Sequence, residues 1–247
     1  MPLIMITNDD GVDAPGLRIL AEALGTLGRA IIIAPERDNS AASHSLTMRR
    51  PLRVREISAD VYAIDGTPAD CVMVGIKKVL PARPDLVASG INPGANLGDD
   101  INYSGTVSAA REGTLLEIPS LAVSLATANG EPCLYPVAAR QALILAAELL
   151  ERGMPPNTLF NVNVPNRPAV EILGRRYTRQ GRRLYDNAIQ ETFDPWGQRH
   201  YWIGGGTPRW SKEPETDVQA VQAGYVSVTP LHLDMTNHQV LQGLLAK

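Results

Sequence analysis

Short apolar runs alternate with amphipathic segments through the first two-thirds of the chain. Residues 3–7 form a strand-like run, and an amphipathic stretch over 14–27 follows a turn-rich link. The run AIIIA at 30–34 is apolar throughout, the pattern of a parallel strand buried on both faces. Short strands are predicted at 52–55 and 61–64. A helix is predicted from Pro68, which a first turn tolerates, to about Val79. The segment 85–89 reads as another buried strand. A helix over 105–116 then leads to a strand at 121–124, and a helix over 137–152 to a strand at 159–164. Strand, crossover helix and next strand, repeated in this way, predict a doubly wound, mostly parallel α/β sheet.

The remainder has a different texture. From 177 to 210 the chain is polar, aromatic and glycine-rich, with strand-like pieces around 199–203. That pattern predicts an extended β-hairpin arm rather than another βαβ unit. One more strand is expected at 226–229 and a closing helix at 237–245. All 247 residues are thus expected to form one α/β domain, with a core over about 1–170 and an extension over about 171–247.

Apolar residues make up 44% of the chain, enough for a core of that size. No apolar run approaches the roughly 18–20 residues of a membrane-spanning helix. Met1-Pro2-Leu3-Ile4 has no basic leader or cleavage site, so a cytoplasmic location is expected. Cys71 and Cys133 lie far apart, show no metal-ligand spacing and are expected to be reduced and buried. A net charge of −3 offers no footprint for long nucleic acids. Arg175, Arg176, Arg179, Arg182 and Arg183 form a local basic stretch, read as solvated surface, with an anionic ligand or a subunit contact as the alternative.

In open α/β sheets ligands bind at the carboxyl ends of the strands, beside the point where strand order reverses. Three predicted strand ends carry oxygen-rich loops: Asn8-Asp9-Asp10-Gly11, the stretch from Pro35 to Ser43, and Asn92-Pro93-Gly94-Ala95-Asn96-Leu97-Gly98. Two adjacent carboxylates repel unless a cation lies between them, and hard divalent ions of the Mg²⁺, Mn²⁺ or Ca²⁺ type favour such oxygens. Neighbouring side chains in a strand point to opposite faces. Asp9 and Asp10 therefore converge only if the backbone turns, which Gly11 makes easy. The same residues also read as an Asx-turn or as an N-cap for the following helix. Ser104-Gly105-Thr106 before an Ala-rich helix reads either as a cap or as an anion site, and Ser40 and Ser43 admit the same two readings. His44 reads as a substrate or proton-transfer contact, or as a plain loop residue. His200, His232 and His238 fall outside these loops.

Taken with Ala14-Pro15-Gly16, Ser40-Ala41-Ala42-Ser43-His44-Ser45-Leu46-Thr47, Gly66-Thr67-Pro68-Ala69-Asp70-Cys71, Tyr103-Ser104-Gly105-Thr106-Val107 and Asn161-Val162-Asn163-Val164-Pro165, these motifs resemble the SurE family over nearly the whole chain. The resemblance implies a Rossmann-like fold whose C-terminal extensions exchange between subunits, giving a homodimer or homotetramer. It implies hydrolysis of nucleoside 5′- and 3′-monophosphates, and in some members of short polyphosphate, with one divalent metal cation per subunit. The family's metal ligands fall on Asp9, Asp10, Ser40 and Asn92, with Asp9 and Asp10 the catalytic candidates. Phosphate contacts are expected from Asn96, Ser43, Ser104, Gly105 and Thr106. Two other classes compete. A non-catalytic nucleotide-binding protein would share the fold. A dinucleotide-dependent oxidoreductase is disfavoured, because no G-x-G-x-x-G follows the first strand.

Overall fold

The computed structural model describes residues 1–128, 130–184, 189–203 and 209–246. In chain order the first half comprises β1 (Leu3–Thr7), α1 (Pro15–Leu24), β2 (Arg29–Pro35), β3 (Val54–Ser58), β4 (Val61–Ile64), α2 (Pro68–Val74), β5 (Leu86–Pro93) and α3 (Gly105–Leu115). Then come β6 (Ser120–Ala126), α4 (Tyr135–Arg152), β7 (Thr158–Pro165), β8 (Arg175–Tyr177) and β9 (Arg183–Leu184). The chain closes with β10 (Ile189–Phe193), β11 (Arg199–Ile203), β12 (Arg209–Trp210), α5 (Asp217–Gln222), β13 (Val226–His232) and α6 (His238–Leu245).

Nine strands form one sheet in the order β3-β4-β2-β1-β5-β6-β7-β13-β8. From β4 to β7 the neighbours are parallel, with Leu3 opposite Arg29 and Thr7 opposite Ser89. The chain winds from β1 towards β4, then crosses to β5 on β1's other side. Strand order therefore reverses between β1 and β5, and their carboxyl ends frame a crevice. Leu17 and Leu20 of α1 join Ala142 and Leu145 of α4 in the core on one face. Cys71 and Val72 of α2 join Ala109 of α3 on the other. Both cysteines are free thiols; Cys71 is buried as expected, whereas Cys133, just before α4, is only partly so. Among the described residues no helix is long and apolar enough to cross a membrane.

The structure adjusts several boundaries. The helix predicted to run to Val79 stops as an α-helix at Val74 and widens into a π-turn over Gly75–Val79. Gly75 packs so tightly that a Cβ there would meet Met5 Cε at 2.8 Å and Ile33 Cδ1 at 2.9 Å. The strand predicted at 52–55 lies instead at Val54–Ser58, in an exposed hairpin that turns through Asp60 at φ 61°. More consequential for the site, β5 does not end near Ser89. A register shift beyond Gly90 lets Asn92 pair with Ser124 and Pro93 with Leu125, so Asn92 lies on a strand end rather than in a loop.

The C-terminal part is more than an arm. β10 and β11 form the expected antiparallel hairpin, but β13 lies antiparallel to β7 and β8 parallel to β13, extending the main sheet. Of the arginines that read as solvated surface, Arg176, Arg179 and Arg182 are exposed and Arg175 and Arg183 partly buried, and most of them are paired. Arg175 makes a two-pronged contact with Glu148 at 3.0 Å, Arg176 stacks on Tyr225, and Arg179 and Arg183 pair with Glu213 and Asp100.

Candidate active site

Asp9 and Asp10 follow Asn8 in the loop after β1, and Gly11 turns the backbone with φ 102°. A Cβ at Gly11 would stand 3.1 Å from the Arg37 carbonyl carbon, so the turn also brings the loop after β2 close. Neither aspartate caps α1: its N-cap is Ala14, with no side-chain hydrogen bond, and the loop is closed by Asn8 Nδ2 donating to Gly11 O. The capping alternative is thereby removed, and both carboxylates are left to the crevice.

Asp9 is buried and accepts a hydrogen bond from Thr106 Oγ1 at 2.5 Å. The Asp9 carbonyl accepts from Asn39 N at 2.8 Å, which ties the β2 loop to the β1 loop. Burial pushes the Asp9 carboxyl upward; bonds from the Thr106 side chain and from the backbone of Asp9 and Thr106 partly offset it, and Asp38 adds repulsion. Asp10 has no comparable relief. Burial, then the charges of Asp9 and Asp38, raise its pKa to about 7, and its Oδ2 is buried without a hydrogen-bond partner. A buried acceptor left unsatisfied beside a second carboxylate is costly, and a cation removes that cost.

The other expected ligands come from neighbouring strand ends, Ser40 from the loop after β2 and Asn92 from the end of β5. Ser40 Oγ donates to Asp38 Oδ1 at 2.6 Å, which leaves its lone pairs for another partner. Asn92 Nδ2 donates to Gly94 O at 2.8 Å, so the amide oxygen is the atom not engaged in the loop. Among the described residues no group of three His, Cys, Asp or Glu is arranged to hold an ion. A cation here would therefore draw on neutral oxygens beside two carboxylates, a donor set that suits a hard ion. The residues fit the implied metal.

The expected phosphate contacts divide. Ser43 is held near the crevice by Oγ donating to Asn102 O and by its N–H donating to Tyr103 O. Ser104 caps α3, accepting from Val107 N at 3.1 Å, and Thr106 is directed at Asp9. The anion at the start of α3 is thus Asp9 itself. Asn96 is buried in a polar network: its Nδ2 donates to Ser124 Oγ, its N–H to Asn163 Oδ1, and its carbonyl accepts from Asn161 and Asn163. One N–H of its amide remains for a ligand.

Three contributors escaped the sequence reading. Asp38 acts electrostatically on both aspartates. Tyr135 opens α4 near Asp10, and burial, the Cys133 contact and the Asp10 charge all raise its pKa. Asp217, more than two hundred residues from the first loop, accepts from Gly98 N and Gly181 N at 2.8 Å and so braces the Asn92–Gly98 loop. Asp38 lies in the oxygen-rich stretch after β2, but nothing local marks Tyr135 or Asp217, which only the fold brings in.

Gly105 is required at its position. A Cβ there would lie 2.6 Å from Asp9 Cβ and 2.8 Å from Asp9 Oδ2. Alanine gains about 1 kcal/mol of helix propensity, whereas overpacking costs about 1–3 kcal/mol, so the conflict is resolved by moving Asp9. Gly105→Ala is expected to stay folded by circular dichroism while turnover falls by roughly 100-fold, the scale of an ångström-sized misplacement.

Fold and site together define a doubly wound α/β protein with an acidic, oxygen-lined crevice at its topological switch point, suited to a hard cation and an anionic ligand. A family model described as "Survival protein SurE" matches residues 4–187, and the chain belongs to that family. The 5′-nucleotidase SurE of Geobacter sulfurreducens is 54% identical over 238 residues, covering 96% of this chain and 90% of that protein. That of Geobacter metallireducens is 52% identical over 241 residues, 98% of this chain and 95% of its own. The crystal structure of the SurE protein from Aquifex aeolicus superposes with a TM-score of 0.87 at 44% identity, covering 98% of each chain.

Proposed function

We propose that the chain is a metal-dependent 5′-nucleotidase that cleaves nucleoside monophosphates to nucleoside and phosphate at the Asp9–Asp10 crevice. The observation that carries the reading is the buried, unpartnered Asp10 Oδ2 next to Asp9 at the β1/β5 switch point. Relatives named as 5′-nucleotidases, about half identical over nearly the whole chain, support the substrate class. Nucleoside 3′-monophosphates and short polyphosphates belong to the same proposal.

Asp9, Asp10, Ser40 and Asn92 would hold one divalent ion of the Mg²⁺, Mn²⁺ or Ca²⁺ type. When bound, such an ion polarises a phosphoryl oxygen and makes a water nucleophilic near neutral pH. The chain's own residues do the rest. Thr106 fixes the rotamer of Asp9, so one carboxylate is preset. The positive end of α3 holds the Asp9 carboxylate, and the remaining Asn96 N–H favours negative charge developing on the phosphoryl oxygens. Asp10 is the carboxylate able to take or return a proton, because no side chain holds its Oδ2.

Homodimers or homotetramers formed by arm exchange are part of this reading. Support comes from β10 and β11, which expose Ile189, Phe193, Tyr201, Trp202 and Ile203, and from α6, which buries none of its residues. A cytoplasmic location and the division into a core over about 1–170 and an extension over about 171–247 complete the proposal. The test is AMP hydrolysis: phosphate release is expected to vanish in EDTA and to return with Mn²⁺ or Mg²⁺. Tight AMP binding without release would favour the non-catalytic alternative.

A further inference from the structure

One ionisable pair beside the crevice has no part in the chemistry above. His44 Nε2 lies 2.8 Å from Glu112 Oε2, across 68 positions of sequence. The Glu112 side chain is only 5% exposed and that of His44 25%. With Glu112 as the carboxylate, Nε2 is the donor and Oε2 the acceptor.

The loop that carries His44 also carries Asp38, Ser40 and Ser43. Two of its non-glycine residues, Ala41 at φ 59° and Ser43 at φ 54°, are in the left-handed region. Such conformations persist only where the surroundings impose them. Contacts at Asn39, Ser43 and Ser45 bind the loop to Asp9 O, to Asn102 and Tyr103, and to Thr67. His44 is the residue that reaches the body of α3. That helix also fixes Asp9 through Thr106, less than two turns before Glu112.

The geometry points to His44 and Glu112 as positioning residues that lock the Ser40 loop to the helix holding Asp9, and so set the spacing between the hydroxyl and carboxylate halves of the cation site. The inference rests on the metal-dependent reading of that site. Neither residue touches the reacting atoms. The pair acts through Ser40, as outer partners act on metal ligands elsewhere, where their loss costs roughly 10–100-fold in affinity or activity.

The test uses the full-length protein, Mn²⁺ titration by calorimetry, AMP turnover and the melting temperature in EDTA. His44→Leu fills the volume without a donor and is expected to weaken Mn²⁺ binding and lower kcat, each by roughly tenfold or more. Glu112→Gln retains an acceptor oxygen and is expected to stay close to wild type in both. A purely structural pair would lower the melting temperature and leave Mn²⁺ affinity unchanged. His44→Asn, too short to reach Glu112, carries the same expectation should the leucine variant not fold. Wild-type Mn²⁺ affinity and kcat in a folded His44→Leu or His44→Asn variant overturns the proposal. Asp9→Asn is assayed in parallel: activity there would sink the site reading itself, whereas an inactive Asp9→Asn beside a wild-type His44→Leu sinks only the positioning role.

Discussion

Asp10→Asn is expected to abolish turnover while making the metal-free protein more heat-stable. Asp10 carries a buried oxygen with no partner, and its charge is opposed by burial and by Asp9 and Asp38. Asparagine removes that charge at nearly constant volume. The gain is on the order of 2 kcal/mol once solvent screening of a partly exposed group is allowed for. In a chain of this size that raises the melting temperature by roughly 4–8 °C. The cation, in contrast, loses one of its two charged ligands. Metal assistance supplies several kcal/mol of transition-state stabilisation, so its loss amounts to a factor of about 10³ or more in kcat. A residue whose removal helps the fold and ends the reaction is retained for function. Melting curves in EDTA and AMP assays with Mn²⁺ measure the two halves separately. A variant less stable than wild type without metal would show that Asp10 has a partner the fold needs.

The second large effect is a pH dependence confined to the metal-free state. Asp10 keeps its proton to about pH 7 in the folded protein, against a reference value of 3.8. Between those values the folded chain binds a proton that the unfolded chain has released, so stability falls as pH rises across that window. Asp9 is shifted in the same direction, chiefly by burial. Wild-type protein in EDTA is therefore expected to melt higher at pH 5 than at pH 8 relative to Asp10→Asn, and the difference between them isolates the Asp10 contribution. Saturating Mn²⁺ adds stability by mass action and should narrow the gap at pH 8 most, where the Asp10 carboxylate is ionised without it. A wild-type-minus-variant difference that is flat from pH 5 to pH 8 would place Asp10 in a solvated, unstrained setting.

The parallel core was legible because its strands are buried on both faces. Runs such as Ile31-Ile32-Ile33 have no polar alternation to confuse them with a hairpin, and β1 and β4 fall where the pattern places them. The site was legible for a related reason: loops at strand ends of a doubly wound sheet share one edge, whatever they contain. Asn92 was misplaced into a loop because a register shift past Gly90 extends β5, and a bulge leaves no periodic trace. β8 was missed because Arg175 and Arg176 look solvent-seeking until Glu148 and Tyr225 are found beside them. The same limit hid Glu112 from His44 and Asp217 from the Gly98 loop, since each pair is joined only by tertiary folding. For Ser104 and Thr106 the sequence left cap and anion site open. The fold uses Ser104 as a cap and aims Thr106 at a carboxylate of the chain itself.

The central claim is that Asp9 and Asp10 form half of a cation site on which phosphate-ester cleavage depends. Its most direct test is calorimetric titration of Mn²⁺ into EDTA-stripped protein, with AMP hydrolysis followed on the same samples. The expected result is one ion bound per chain, activity rising in step with occupancy, and both lost in Asp9→Asn and Asp10→Asn. Stripped protein that hydrolyses AMP at the untreated rate, or an Asp9→Asn variant that binds Mn²⁺ and turns over as wild type does, would contradict it.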